Sequence, residues 1–108
     1  MINIPISVLE LATVNIDSDF KTAIDDSMKI AQLADELNYK RIWFAEHHNM
    51  PNIASSATSL LIQLAALKTK KIRVGSGGIM LPNHSPLIIA EQFGTLETLF
   101  PNRIDLGL

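Results

Sequence analysis

The sequence predicts an α/β fold laid out as a parallel βαβαβαβ series. Short apolar runs rich in β-branched residues alternate with longer stretches whose apolar residues recur at helical spacing. Three of the short runs open alike, as Arg41-Ile42, Lys71-Ile72 and Arg103-Ile104, and their separation is that of one strand plus one helix. With 47% hydrophobic and 19% charged residues in 108, the chain has core enough for one domain.

The first strand is expected at Ile2, Ile4, Ile6, Val8 and Leu9, with Pro5 near its start. A polar loop around residues 15–19 follows. Phe20, Ala23, Ile24, Ile30, Ala31, Ala34 and Leu37 then mark a long helix. Asp17 or Ser18 is suited to cap its start, and Asn38 to close its end in the left-handed conformation. The second strand, residues 41–45, carries consecutive apolar residues, as a strand covered on both faces does. Ser55 or Ser56 is expected to begin the second helix, with Leu60, Leu61, Leu64, Ala65 and Leu67 as its apolar face. Lys68, Lys70 and Lys71 cluster at its end, where cations suit the helix dipole. The third strand is residues 72–75. Ser85 as cap and Pro86 in the first turn announce the third helix. Its core face is Ile89, Ala90, Phe93, Leu96 and Leu99, and Pro101-Asn102 ends it before a fourth strand at residues 103–108.

Right-handed crossovers turn this series into a parallel sheet with helices outside. The pattern allows a doubly wound open sheet or part of a (β/α)8 barrel. A whole barrel needs about 250 residues. The chain stops on its fourth strand, which leaves an apolar face and an edge without cover. The expectation is a single partial domain over residues 1–108.

A net charge of −2 with scattered basic residues gives no footprint for nucleic acid or an anionic membrane. Without cysteine, disulfides, thiolate catalysis and cysteine-ligated zinc are excluded. The N-terminus lacks a basic region and a long apolar stretch, and no apolar run is long enough to span a bilayer. The cytoplasm is the expected setting.

Sites in parallel α/β folds form at the C-terminal ends of strands. Three stretches fall there. Glu46-His47-His48-Asn49-Met50-Pro51 follows the second strand, and alternation points the two histidines in different directions. One of them facing a pocket can act as acid, base or hydrogen-bond donor. Both can equally serve loop carbonyls. A metal site from Glu46, one histidine and His84 is the lesser alternative, because no i,i+4 histidine pair exists and the ligand spacing is poor; no metal is expected. Gly75-Ser76-Gly77-Gly78 follows the third strand and lets something flat approach the backbone, or forms a plain turn. Leu81-Pro82-Asn83-His84-Ser85-Pro86 puts His84 before a helix start, where the dipole disfavours a charged imidazole and a structural role is expected. Glu10 and Asp105 are further carboxylates near strand ends. Glu10 can be solvated; Asp105 can turn inward and pair with an arginine. Trp43 and Phe44 are read as core.

These stretches resemble a known family, the luciferase-like flavin-dependent monooxygenases. The resemblance runs through residues 41–51, Ile53-Ala54-Ser55-Ser56, residues 72–87, residues 90–97 and residues 101–108. It implies a (β/α)8 TIM barrel, of which this chain is the N-terminal half. It implies reduced flavin mononucleotide (FMN), or a deazaflavin in some branches, at the C-terminal mouth, with O2 used to oxidise a small organic substrate. His47 matches the catalytic histidine. Glu46, His48, Ser76, Gly77 and Gly78 match the cofactor side, and Gly77-Gly78 matches a non-prolyl cis peptide beneath the flavin ring. A flavin reductase is a further partner to expect, and the exposed strand edges predict a homodimer or self-association. The family continues past its fourth strand with a glycine and an arginine-containing loop, whereas this sequence ends at Leu108, and phosphate sites of such barrels form after strands 7 and 8. The resemblance therefore speaks for the parent protein; these 108 residues alone are expected to be inactive and to bind little or no flavin. Two alternatives stand beside it: a deazaflavin-dependent oxidoreductase, and a non-catalytic half-barrel that self-associates through its open edges.

Overall fold

A computed structural model describes residues 3–108. Ile2, the first residue expected in strand 1, lies outside the described residues. The elements follow in the order β1 (Ser7–Glu10), α1 (Phe20–Glu36), β2 (Arg41–Phe44), α2 (Thr58–Lys68), β3 (Arg73–Ser76), a 3-10 turn (Leu81–Asn83), α3 (Pro86–Leu99) and β4 (Ile104–Leu106).

All three strand pairings are parallel and the spatial order is β1-β2-β3-β4. Ser7 stands beside Arg41, Arg41 beside Arg73, and Val74 beside Ile104. This order decides between the two architectures. A doubly wound sheet reverses its strand order at a switch point. Here each strand adds beside the last, and successive helices pack on one another, as in part of a (β/α)8 barrel.

Strand alternation sorts the side chains. Ile42, Phe44 and Val74 are fully buried and meet Met28, Ala31 and Ala34 of α1, Leu61, Ile62, Ala65 and Ala66 of α2, and Ile89, Phe93 and Leu96 of α3. Each fully buried large residue contributes about 1.5–3 kcal/mol. The neighbouring positions Arg41, Trp43, Arg73, Gly75 and Asp105 lie on the opposite face, the inside of the barrel wall. Asp105 does turn inward there: one oxygen accepts from Arg41 Nε at 2.5 Å and Arg73 Nε at 2.8 Å, the other from Arg73 Nη2 at 2.6 Å. The Arg41 guanidinium lies 4.7 Å over the Trp43 ring, a cation–π contact.

Several local expectations change. Asp19, not Asp17 or Ser18, caps α1; its Oδ1 accepts from the Thr22 amide at 2.7 Å. Asp17 instead takes a positive φ of 63° in the preceding turn. Neither Ser55 nor Ser56 begins α2, which starts at Thr58 without a side-chain cap. The Ser55 hydroxyl is spent on the Ala45 carbonyl, which also accepts from Thr58 Oγ1 at 3.0 Å. The apolar face of α2 was misplaced: Leu60 and Leu67 are exposed, while Leu61, Ile62, Ala65 and Ala66 are buried. A helix that is apolar nearly all round gives its periodicity no single phase. In α3, Ile89, Phe93 and Leu96 are buried as expected, but Ala90 and Leu99 are exposed.

Candidate functional site

The C-terminal ends of β1, β2 and β3 form one rim. The Gly77 amide donates to the Phe44 carbonyl at 2.8 Å, and the Ala45 amide to the Glu10 carbonyl at 3.1 Å. The loops after β1 and β2 are zipped together: Thr13 and Ile53 form an antiparallel bridge, the Ala54 amide donates to the Ala12 carbonyl, and Val14 to Asn52. Ala12 is fully buried and left-handed, with φ 52°. Glu10, which the sequence allowed to be solvated, holds this corner; its Oε1 accepts from the Ala12 amide at 2.8 Å and from Ser27 Oγ at 3.0 Å. Sequence reasoning missed Ala12 and Ser27, because neither residue type advertises such a role.

Glu46 is the hub of the rim. Its side chain is 1% exposed. Oε1 lies 2.6 Å from His48 Nε2 and 2.7 Å from His84 Nε2, and Oε2 accepts from the Met80 amide at 2.8 Å. Burial pushes this carboxyl up, but the bonds from His48, Met80 and His84 hold it below the ordinary carboxylate value. The poor ligand spacing read from the sequence is overcome by the fold, which joins the segment after β2 to the one ahead of α3. Among the described residues, Glu46, His48 and His84 form a group whose donor atoms all lie within 4.8 Å of one another.

His47 stands apart from its neighbour. Its amide donates to the Ser55 carbonyl at 2.9 Å, while its half-buried ring forms no hydrogen bond to the described residues. A cleft of about 290 Å3 opens beside it, lined by Phe20, Asn49, Met50, Pro51, Ile53 and Ser56. Asn49 makes the turn with φ 55°. A larger cavity of about 540 Å3 lies at the opposite ends of the strands, between Pro5, Tyr39, Lys40 and Arg73. We assign it no chemistry, because sites in parallel α/β folds form at the C-terminal ends.

The segment after β3 is shaped by packing. The Gly77–Gly78 peptide is cis. A Cβ at Gly77 would stand 2.9 Å from Cβ of Trp43, and one at Gly78 would stand 2.9 Å from the Leu108 backbone. Glycine is therefore required there by neighbours within the chain. Ser76 is fully buried, and its hydroxyl is committed to β4: it donates to the Gly107 carbonyl at 2.8 Å and accepts from the Gly107 amide at 3.0 Å. No lysine or arginine occurs in the three rim loops, residues 11–19, 45–57 and 77–85.

The family model for luciferase-like monooxygenase matches residues 5–108. A luciferase-like monooxygenase of Escherichia coli strain K12 is 56% identical over 105 residues, which cover 97% of this chain and 31% of that protein. The crystal structure of apo-MsnO8 superposes with a TM-score of 0.95 at 45% identity, covering 97% of this chain and 32% of that one. Two structures below 25% identity share the fold. The oxygenating constituent of 3,6-diketocamphane monooxygenase of Pseudomonas putida, in complex with FMN, has a TM-score of 0.87 at 24% identity over 95% of this chain and 28% of its own. An F420-dependent secondary alcohol dehydrogenase has 0.74 at 21% over 94% and 30%. The chain spans about three tenths of the length of the curated relatives it matches. No helix among the described residues is long and apolar enough to cross a membrane.

Proposed function

The chain belongs to the luciferase-like monooxygenase family, and on that footing we propose that its parent protein oxidises a small organic substrate with O2 and reduced FMN, using His47 to manage the proton. The observation that carries this reading is the division of labour among three histidines. His48 and His84 are both engaged by Glu46. His47 alone keeps an uncommitted ring at the rim, half-buried beside a cleft. A ring so placed can hold or give a proton at either nitrogen.

A reduced flavin supplies the electrons for O2 activation. The residues present fit such a group in part. The Gly77–Gly78 backbone offers a side-chain-free floor, and His47 a polar group at the same rim. Ser76, Glu46 and His48 serve in this reading by position: Ser76 pins β3 to β4, and Glu46 with His48 braces the loop that carries His47. No cation of the rim loops is available for a phosphate. We assign the anion contact to the rest of the parent protein, so the 108-residue chain alone is proposed to bind flavin weakly and to be inactive. A flavin reductase as partner and the cytoplasm as setting accompany this reading.

The test uses the complete parent protein. His47→Ala and His47→Gln are compared with wild type by following reoxidation of bound reduced FMN in oxygenated buffer across a pH series. The expected result is a loss of roughly a hundredfold to ten-thousandfold in the His47-dependent step, with FMN affinity nearly unchanged. Reoxidation kinetics and pH profile identical to wild type would remove His47 from the mechanism. A second reading, deazaflavin chemistry, is favoured by one observation: the F420-dependent dehydrogenase shares the fold. Parallel titration of the parent with FMN and F420 discriminates the two.

A further inference from the structure

We propose that Glu46, His48 and His84 form a binding site for one divalent transition-metal ion of the zinc type, separate from the flavin chemistry proposed above. Three observations carry it. The donor set is two imidazole nitrogens and one carboxylate oxygen converging within 4.8 Å, a combination that suits Zn2+, Co2+ and Ni2+ and is unlike the all-oxygen shells of Ca2+ and Mg2+. The anchor is rigid: Glu46 is almost wholly buried and its Oε2 is fixed by the Met80 amide at 2.8 Å, the outer-shell support that ligating carboxylates use. The mouth is open: the side chains of His48 and His84 are 43% and 29% exposed, so an ion can enter and a water can complete four-coordination.

The geometry needs little change. Ligands of a tetrahedral ion with bonds near 2.1 Å stand about 3.4 Å apart. The present separations from Oε1 are 2.6 and 2.7 Å, set by hydrogen bonds. Both imidazoles must back away by about 0.7–0.8 Å and present an unprotonated Nε2 to the ion. The ion then takes the place of the two protons that now bind the rings to Glu46. Because Glu46 and His48 flank His47 in the chain, the ion fixes the loop that carries it. The expected consequence is reversible metal inhibition of whatever step His47 serves.

The complete protein is stripped with chelator and titrated with Zn2+ by calorimetry, and separately with Co2+ by visible absorption. The expected results are one Zn2+ per chain and a d–d spectrum of four- or five-coordinate Co2+. His48→Ala and His84→Ala should each weaken Zn2+ binding at least tenfold, His47→Ala should leave it unchanged, and Mg2+ should not compete. The wild-type Co2+ spectrum requires no variant, so the test survives if a substitution fails to fold. Absence of stoichiometric binding, an octahedral Co2+ spectrum, or affinity that depends on His47 rather than His84 would overturn the site. None of these readouts involves flavin or turnover, so failure here leaves the proposed function untouched.

Discussion

Asp35 shows how a single carboxylate can work against its own helix and still be required. It sits in the last turn of α1, where the helix dipole disfavours a negative charge. Its oxygens accept from the amides of Lys70, Lys71 and Ile72 at 2.8, 3.1 and 2.7 Å, closing the turn between α2 and β3. Asp35→Asn removes the charge and turns an amide donor toward those N–H groups. The expected cost is about 2–3 kcal/mol, read as a lower midpoint in urea with an unchanged slope. The pH sign follows from the same contacts. Burial raises this carboxyl, but the three amides hold it below its ordinary value of 3.8. A group depressed in the folded state stabilises above its unfolded value and loses that contribution as pH falls through the folded one. Asp105, raised by burial but held low by Arg73 and Arg41, adds to the same slope. Stability should therefore fall below about pH 4, and the fall should be shallower in Asp35→Asn. Nothing in the sequence pointed to Asp35 except its misfit with the dipole. The Glu46-His47-His48 cluster was legible, and so was the divergence of its histidines. That Glu46 gathers His84 together with His48 was visible only as the lesser of the sequence's alternatives, since those partners lie 2 and 38 residues away and only the tertiary fold joins them.

At the level of elements, every strand and α-helix was readable in existence and type, the 3-10 turn (Leu81–Asn83) was not, and the other errors fall where tertiary contacts override local chemistry. The serines ahead of α2 look like caps, yet the Ala45 carbonyl claims Ser55. α1 was read well at its far end because left-handed closure is a local matter. Asn38 has φ 61°, and its Oδ1 accepts from Lys71 Nζ at 2.5 Å on the surface. An exposed ion–amide contact of this kind contributes little, so the backbone conformation should govern the response to substitution. Asn38→Ala must adopt the left-handed region with a Cβ and is expected to cost about 1–2 kcal/mol. Asn38→Gly, which enters that region freely, should stay within about 0.5 kcal/mol of wild type. Urea melts of the two variants side by side check this; equal losses would mean that the Lys71 contact, and not the turn, is what Asn38 provides.

For the whole molecule, the sequence established a parallel series but left its winding open, because a repeat of one strand and one helix is common to barrels and doubly wound sheets. Strand order supplies what the repeat lacks. That order also leaves β1 and β4 as outer strands of the described sheet, and the barrel-facing wall carries Leu9 at 58% exposure beside the half-exposed Trp43. On the helical side, Leu60 and Leu67 of α2 and Leu87 and Leu99 of α3 are exposed as well. Open edges with apolar surface on both faces are templates for association. Produced as these 108 residues alone, the chain is expected to form dimers or larger species at micromolar concentration, and to bind FMN with a dissociation constant no tighter than about 1 mM, a weak interaction of about −4 kcal/mol. Multi-angle light scattering and flavin fluorescence measure the two properties independently. They are linked by one cause, the want of a covering wall and of a cation near the rim. A monodisperse monomer that nevertheless held FMN tightly would show that the rim loops after β1, β2 and β3 suffice for the cofactor, and would place the phosphate contact on backbone amides of this chain.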